Sequence, residues 1–144
     1  YIKKNISFNL NYYSYLRKYD EIEIMEIFVK KMWSKFKNDF TSCNKNFTLV
    51  EKRLSKKLWC GECAKCAFVS LLLSNFISRK EHEELFKKDM FLKNDILDKF
   101  YKELAGIEGF KPFECVGTSD EVQKSIKKAF LSGEYPELEN YIIN

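Results

Sequence analysis

Ser42-Cys43 and, after a spacer, Cys60-Gly61-Glu62-Cys63-Ala64-Lys65-Cys66 are the parts of the sequence that decide how this chain folds. Two overlapping C-x-x-C units place three cysteines in one tight turn that leads into a helix. A soft divalent metal prefers convergent thiolates of this kind, and Cys43 supplies a fourth. The spacing therefore predicts a four-cysteine structural zinc site made by Cys43, Cys60, Cys63 and Cys66.

Two other uses of cysteine compete with this interpretation. A C-x-x-C pair also serves thiol exchange, and the cysteines would otherwise form disulfides or remain buried free thiols. A redox pair needs two cysteines rather than four, and a disulfide framework normally belongs to a small secreted chain, which this sequence does not resemble. The spacing favours zinc over both alternatives.

The composition is that of a folded domain. The 144 residues, of which 45% are hydrophobic, are enough to bury one core. The longest apolar run, residues 67–77, is too short to cross a bilayer, so we expect no membrane partner. The chain begins at Tyr1 and no sequence resembling a signal peptide follows. We therefore expect a cytoplasmic C-terminal fragment of a longer chain, with residues 1–144 forming a single zinc-bearing helical domain.

The net charge of +4 is unevenly distributed. Residues 28–60 contain nine Lys or Arg against only Asp39 and Glu51. Nucleic acid, nucleotide phosphates and a solvated surface all fit such a stretch, and the solvated surface is the commonest explanation for scattered lysines. The basic stretch alone does not identify a partner.

Hydrophobic periodicity predicts a mainly α fold with at most one or two short strands. Residues 5–12 alternate apolar and polar side chains, the period of a half-buried strand. Residues 64–78 read as a core helix without a polar face. The predicted helix boundaries are a cap at Asp20 with Glu23, a cap at Asn94 with a stop at Gly106, and a capping box at Thr118 with Glu121.

Residues 79–88 form a charged amphipathic segment that contains His82, the single histidine of the chain. Its neighbours in Lys-Glu-His-Glu-Glu are all charged, so we expect His82 on a solvated helical face. A short helix is expected over residues 137–143.

Several strings of residues, in order along nearly the whole chain, carry a family resemblance. They are Tyr13-Ser14-Tyr15-Leu16-Arg17, Ser42-Cys43, the run from Cys60 to Val69, Leu104-Ala105-Gly106 and Gly109-Phe110-Lys111-Pro112-Phe113-Glu114-Cys115-Val116-Gly117-Thr118. Together they resemble the C-terminal part of the MurL-type epimerases. The resemblance implies ATP- and magnesium-dependent inversion of the terminal L-glutamate of UDP-N-acetylmuramoyl-L-alanyl-L-glutamate in peptidoglycan precursor synthesis. It implies two partners, the N-terminal remainder of the same protein and the UDP-linked muramoyl dipeptide substrate.

The cysteine segment is also similar to the zinc-binding tail of PP-loop ATP pyrophosphatases such as 7-cyano-7-deazaguanine synthase. This second resemblance implies that the chain is part of a larger α/β PP-loop-like protein. The five glycines of the chain include no Ser-Gly-Gly-x-Asp-Ser phosphate loop, so we expect the isolated chain to be inactive. The alternative is the zinc-bearing tail of a PP-loop nucleotide- or RNA-modifying enzyme, or a stand-alone zinc binding module. Nucleic acid is a partner only under that alternative.

Inversion of an α-carbon requires a base, and the resemblance directs attention to Cys115 and Glu114. Cys115 is the one cysteine outside the zinc set and lies just ahead of a capped helix N-terminus, whose dipole favours a thiolate. Free cysteines are also among the most buried residues, so packing is the competing explanation.

Arg17 and Lys111 are the candidate substrate-binding residues. The planar fork of Arg17 suits a phosphate or carboxylate, and Lys111 lies in the same loop as Cys115. A surface salt bridge is the alternative for each of them.

Overall fold

The computed structural model describes residues 1–49, 56–113 and 115–143, and the regular structure of these residues is entirely helical. The α-helices of this part are α1 (Ile2–Asn5), α2 (Glu21–Phe36), α3 (Ala64–Leu73), α4 (Arg79–Phe86), α5 (Asp95–Ala105) and α6 (Ser119–Leu131). Two 3-10 helices lie at Asn44–Asn46 and Pro136–Tyr141. The predicted mainly α class is confirmed.

The strand predicted over residues 5–12 is wrong. Among the described residues the segment forms turns and irregular backbone after α1, and no strand is present for it to pair with. Its apolar side chains do not face a core, since Phe8 remains 84% exposed. Alternation marks a strand only where one face is buried against another layer, and no residue that the structure describes provides that layer for this segment.

The core is built around α3. Every residue of α3 except Lys65 is buried, and α2, α5 and α6 all pack against it. The helix ends at Leu73, earlier than the predicted residue 78, because neighbouring side chains take over its last carbonyls. Ser74 Oγ and Asn75 Nδ2 donate to the Leu71 carbonyl oxygen at 2.8 and 3.0 Å. The predicted core helix is confirmed with a shorter span.

The predicted caps of the outer helices are confirmed. Asp20 with Glu23 and Thr118 with Glu121 form complete capping boxes at the starts of α2 and α6. Asn94 caps α5, and Gly106 ends it in the left-handed conformation with φ of 75°. These three helices surround α3 as the sequence predicts. No helix of the described residues is both long enough and apolar enough to span a bilayer.

The predicted surface position of His82 is wrong. His82 is only 1% exposed, and its Nε2 lies 3.1 Å from Ser70 Oγ and 3.2 Å from the Ser70 carbonyl oxygen of α3. Its ring stacks on Phe91, with the ring centroids 5.3 Å apart. His82 and Phe86 lie four residues apart and share the buried face of α4. Burial lowers the pKa of His82 to about 4.

Acidification is expected to destabilise the fold through His82. Its pKa lies near 6.5 in the unfolded chain and at about 4 in the fold, so between these values the unfolded chain binds more protons. The stabilisation is full above pH 6.5 and is lost as the pH falls to 4, a change of about 3 kcal/mol. Urea unfolding of the wild type and of His82→Gln at pH 7.5, 5.5 and 4.5 measures this contribution of His82 to the free energy of unfolding. The stability difference between the two proteins should shrink with acidification, and a constant difference contradicts the assignment.

Candidate functional site

The structure brings together the four cysteines that the sequence singles out. The sulfur atoms of Cys43, Cys60, Cys63 and Cys66 all lie within 4.8 Å of one another. Cys66 Sγ is 3.7 Å from Cys60 Sγ and 3.5 Å from Cys63 Sγ. Four thiolates bound to one zinc ion at ~2.3 Å in a tetrahedron have sulfur atoms ~3.8 Å apart. All five cysteines of the chain are free thiols, so the four clustered ones are available to hold a metal ion.

The turn from Cys60 to Cys66 points backbone N–H groups at the sulfur atoms. The N–H of Gly61 donates to Cys66 Sγ at 3.4 Å, and the N–H of Glu62 donates to Cys60 Sγ at 3.3 Å. Gly61 has φ of 69°, and a Cβ at this position would lie 2.6 Å from Lys88 Cε. Glycine is therefore required by the backbone conformation of the turn, and the donated N–H groups stabilise negatively charged sulfur.

A separate set of hydrogen bonds holds Cys43 beside this turn. Asn46 Nδ2 donates to the carbonyl oxygens of Leu58 and Lys57 at 2.6 and 3.2 Å. The N–H of Cys60 donates to Cys43 Sγ at 3.4 Å. These hydrogen bonds hold the Cys43 segment next to the turn that begins at Cys60, and they do not depend on a metal ion. Residues 50–55, which lie between these two parts in sequence, are outside the described residues.

The electrostatics of the cluster favour a bound cation. Hydrogen bonds with Cys60 and Cys66 lower the pKa of Cys63, while hydrogen bonding to neighbouring sulfur raises the pKa values of Cys60 and Cys66. Thiolates this close repel one another, so all four ionise together only if a cation lies among them. The pKa of Lys45 is raised, first by its hydrogen bond to Glu62 at 3.1 Å and also by the charge of Cys60.

The cluster is partly buried beside an aromatic part of the core. Trp59 is buried and packs between Phe40 and Phe86, with ring centroids 5.2 and 5.4 Å away. Cys43 and Cys66 are also buried. The sequence analysis did not predict that Trp59 is a core residue, although its position directly before Cys60 indicates that it lies beside the cluster. Cys60 and Cys63 are partly exposed. Four thiols from the protein are enough to fill a tetrahedral shell, which is typical of a structural rather than a catalytic metal site.

The loop with Cys115 adjoins this cluster. Cys115 is exposed, and its carbonyl oxygen accepts a hydrogen bond from the ammonium group of Lys65, the residue directly before Cys66. Val116 is buried and anchors the loop at the start of α6. Because the Cys115 side chain is exposed, packing does not account for it. Lys111 is exposed, and Glu114 lies outside the described residues.

Arg17 is exposed in the segment that leads into α2. The N–H of Glu21 donates to Glu121 Oε1 at 3.2 Å, which holds the start of α2 against the start of α6. Arg17 and Cys115 each lie a few residues before one of these neighbouring helix starts. Within the described part of the chain neither Arg17 nor Lys111 forms an ion pair, so the surface salt bridges considered for them are not present there.

Comparison with known proteins gives one family and several relatives. Residues 39–139 match the family model of the MurL C-terminal domain. A UDP-N-acetyl-alpha-D-muramoyl-L-alanyl-L-glutamate epimerase of Micromonospora is 36% identical over 80% of this chain and 24% of its own length. Proteins of the same name from Xanthomonas oryzae and Salinispora tropica are 33% and 37% identical, over 84% and 85% of this chain and 26% and 25% of their own lengths. The chain spans about a quarter of these relatives. No solved structure matches.

Proposed function

Because this chain belongs to the MurL C-terminal domain family, we propose that it is the C-terminal part of a peptidoglycan precursor epimerase. The reaction is the ATP- and magnesium-dependent inversion of the terminal L-glutamate of UDP-N-acetylmuramoyl-L-alanyl-L-glutamate, in the cytoplasm. The family match over residues 39–139 carries this proposal, and the substrate is the one for which the relatives are named. The N-terminal remainder, on a PP-loop-like α/β scaffold, is proposed to bind ATP.

The isolated 144-residue chain is expected to be inactive, because its sequence contains no Ser-Gly-Gly-x-Asp-Ser motif, whose backbone amides would bind the phosphates. The longer protein that contains this chain is expected to form D-glutamate from the UDP-linked dipeptide when ATP and Mg²⁺ are present. Chiral chromatography of the glutamate released by acid hydrolysis measures both expectations. A folded longer protein that leaves the glutamate entirely in the L form contradicts the proposed function. Turnover by the isolated chain contradicts the proposal that the N-terminal remainder is needed to bind ATP.

We further propose that Cys43, Cys60, Cys63 and Cys66 hold one structural zinc ion. The donor set is four thiols, the sulfur atoms lie within 4.8 Å of one another, and backbone N–H groups already point at three of them. Bound zinc would withdraw charge from the thiolates and cross-link the connecting loop to α3. The chain's own residues orient the ligands through the Gly61 turn and the Asn46 hydrogen bonds.

Elemental analysis of the purified chain is expected to find one zinc ion per molecule. Cys43→Ser should lower the zinc affinity by more than about a hundredfold. Loss of a hydrogen-bond partner of a metal ligand already lowers metal affinity by about 10- to 100-fold, and loss of the ligand itself should cost more. Cys115→Ser is the matched control, because Cys115 lies outside the cluster, and it should keep a full equivalent. A Cys43→Ser variant with unchanged affinity contradicts the four-ligand site.

For the reaction itself we propose that Cys115 exchanges the proton on the glutamate α-carbon, with Glu114 as the neighbouring carboxylate. Exposure of the Cys115 side chain and its place ahead of the α6 N-terminus support this role. ATP would supply activation of the adjacent carboxylate, which makes the α-proton easier to remove. Arg17 and Lys111 are proposed to bind anionic groups of the substrate.

A further inference from the structure

A shallow cleft lies in the segment before α2. Five residues line this cleft of about 390 Å³: Tyr13, Ser14, Tyr15, Arg17 and Lys18. Tyr13 and Tyr15 are 75% and 71% exposed, so their side chains are accessible to a ligand. Backbone hydrogen bonds shape the segment, from the N–H of Arg17 to the Ser14 carbonyl and from the N–H of Tyr19 to the Leu16 carbonyl, at 3.4 and 3.0 Å. The cleft is therefore a local structure that combines aromatic surface with positive charge.

The positive charges of this cleft are not neutralised by the described part of the protein. Neither Arg17 nor Lys18 forms an ion pair with a carboxylate there, whereas Arg79 binds both Asp89 and Glu137. The carboxylate nearest in sequence, Asp20, is engaged elsewhere, since its Oδ1 accepts the N–H of Glu23 at 2.8 Å in the α2 capping box. Two adjacent cations beside exposed tyrosine rings, without a carboxylate, are suited to an anionic ligand that also has a flat or apolar part.

We propose that this cleft binds a nucleoside diphosphate. The guanidinium of Arg17 is suited to bidentate binding of one phosphate, and the ammonium of Lys18 adds a second, flexible donor. The rings of Tyr13 and Tyr15 provide stacking surface for the base, an interaction that tolerates different bases. The cleft volume falls within the ~300–1,000 Å³ range of small-molecule sites.

Two ligands contain a nucleoside diphosphate that could occupy the cleft: the muramoyl substrate, through its UDP half, and an adenine nucleotide. The assignment to UDP rests on the proposed function, whereas the diphosphate chemistry rests on the cleft itself. The Glu21 to Glu121 hydrogen bond places the start of α2, next to the cleft, against the start of α6. A UDP group bound here would therefore lie at the end of the molecule that also carries the Cys115 loop.

Isothermal titration of the 144-residue chain with UDP, ADP and uridine tests the proposal. We expect the diphosphates to bind at least tenfold more tightly than uridine, and Arg17→Gln to weaken their binding at least tenfold, because hydrogen bonds to charged groups contribute effects of this size. Lys4→Gln is the matched control, since it removes one exposed positive charge from the same N-terminal segment outside the cleft, and it should bind like the wild type. Preference for UDP assigns the cleft to the muramoyl substrate, and preference for ADP assigns it to the adenine nucleotide; both support a diphosphate site.

Absence of diphosphate binding by the folded chain overturns the proposal, as does equal weakening by Arg17→Gln and Lys4→Gln. An oligouridylate that binds tenfold more tightly than UDP also overturns it and indicates a nucleic-acid surface instead. These outcomes are separable from failure of the proposed function. A longer protein without epimerase activity whose cleft still binds UDP contradicts only the reaction. An active epimerase unaffected by Arg17→Gln contradicts the cleft and the substrate-binding role of Arg17, but not the reaction.

Discussion

Cys66→Ser is expected to remove the zinc ion and to lower the free energy of unfolding by at least ~4 kcal/mol, a large part of the ~5–15 kcal/mol that stabilises a typical domain. Cys66 is fully buried on the core helix α3, and its sulfur accepts the N–H of Gly61. If the thiol were only a packed side chain, replacing it with a hydroxyl would cost ~1–3 kcal/mol. The binding free energy of a structural zinc ion is larger, ~10–16 kcal/mol in small zinc domains, and in such sites it contributes directly to folding. The size of the effect therefore distinguishes a metal site from buried thiols.

Urea unfolding followed by circular dichroism, with and without EDTA, measures this effect. EDTA should destabilise the wild type strongly and Cys66→Ser very little, because the variant has already lost its metal. Cys115→Ser is again the matched control and should respond to EDTA like the wild type, because Cys115 lies outside the cluster. A wild type that is insensitive to EDTA but sensitive to thiol reductants contradicts the zinc site and favours the redox dithiol or disulfide alternatives.

The sequence predicted the features that depend on local chemistry. Asn94 and Gly106 bound α5 where the structure has it, because a side-chain cap and a left-handed glycine each act within a few residues. The capping box of Thr118 with Glu121 predicted the start of α6 for the same reason.

The convergence of Cys60, Cys63 and Cys66 was predictable because the C-x-x-C spacing places their sulfur atoms in one turn. The place of Cys43 beside them depends on hydrogen bonds between distant segments and was predicted only from the need for a fourth ligand.

Other features that depend on distant parts of the chain were mispredicted. Charged neighbours in sequence suggested a solvated His82, but Ser70 and Phe91, from other parts of the chain, surround its ring. The alternation in residues 5–12 suggested a strand, although nothing among the described residues pairs with it. In both cases the local sequence pattern was present, but the sequence did not show which other part of the chain packs against the segment. For His82 the four-residue spacing to Phe86 is the sequence feature that indicates burial.

The sequence also did not predict that Arg17 forms no ion pair with the described carboxylates. Asp20 and Glu21 lie close to it along the chain and make a surface salt bridge a reasonable expectation. In the structure Asp20 is engaged in the capping box, and among the described residues Arg17 has no carboxylate partner. The competition between capping and ion pairing depends on the geometry of the helix start, which spacing alone does not specify.

Cys115→Ser in the longer protein is expected to reduce glutamate inversion at least a hundredfold, since a general base typically contributes ~10²–10⁴-fold to a rate. A serine hydroxyl fills nearly the same volume but does not provide a thiolate, and the exposed position of Cys115 means that folding should be unaffected. Carboxylate activation, measured as substrate-dependent release of AMP, should persist if it precedes proton removal. The zinc content and the circular dichroism spectrum should match those of the wild type.

Alkylation gives an independent measurement on the same thiol. Iodoacetamide should modify Cys115 in the longer protein, and bound UDP-linked dipeptide should slow this modification. The four clustered cysteines should react only after zinc is removed, because metal-bound thiolates are protected from alkylation. Glu114→Gln is the companion variant, because it tests the neighbouring carboxylate without changing the thiol. If Cys115→Ser retains most of its inversion rate while Glu114→Gln loses it, the carboxylate is the base. If both variants stay active, the proton is exchanged by groups of the N-terminal remainder, and the Cys115 loop does not take part in the chemistry.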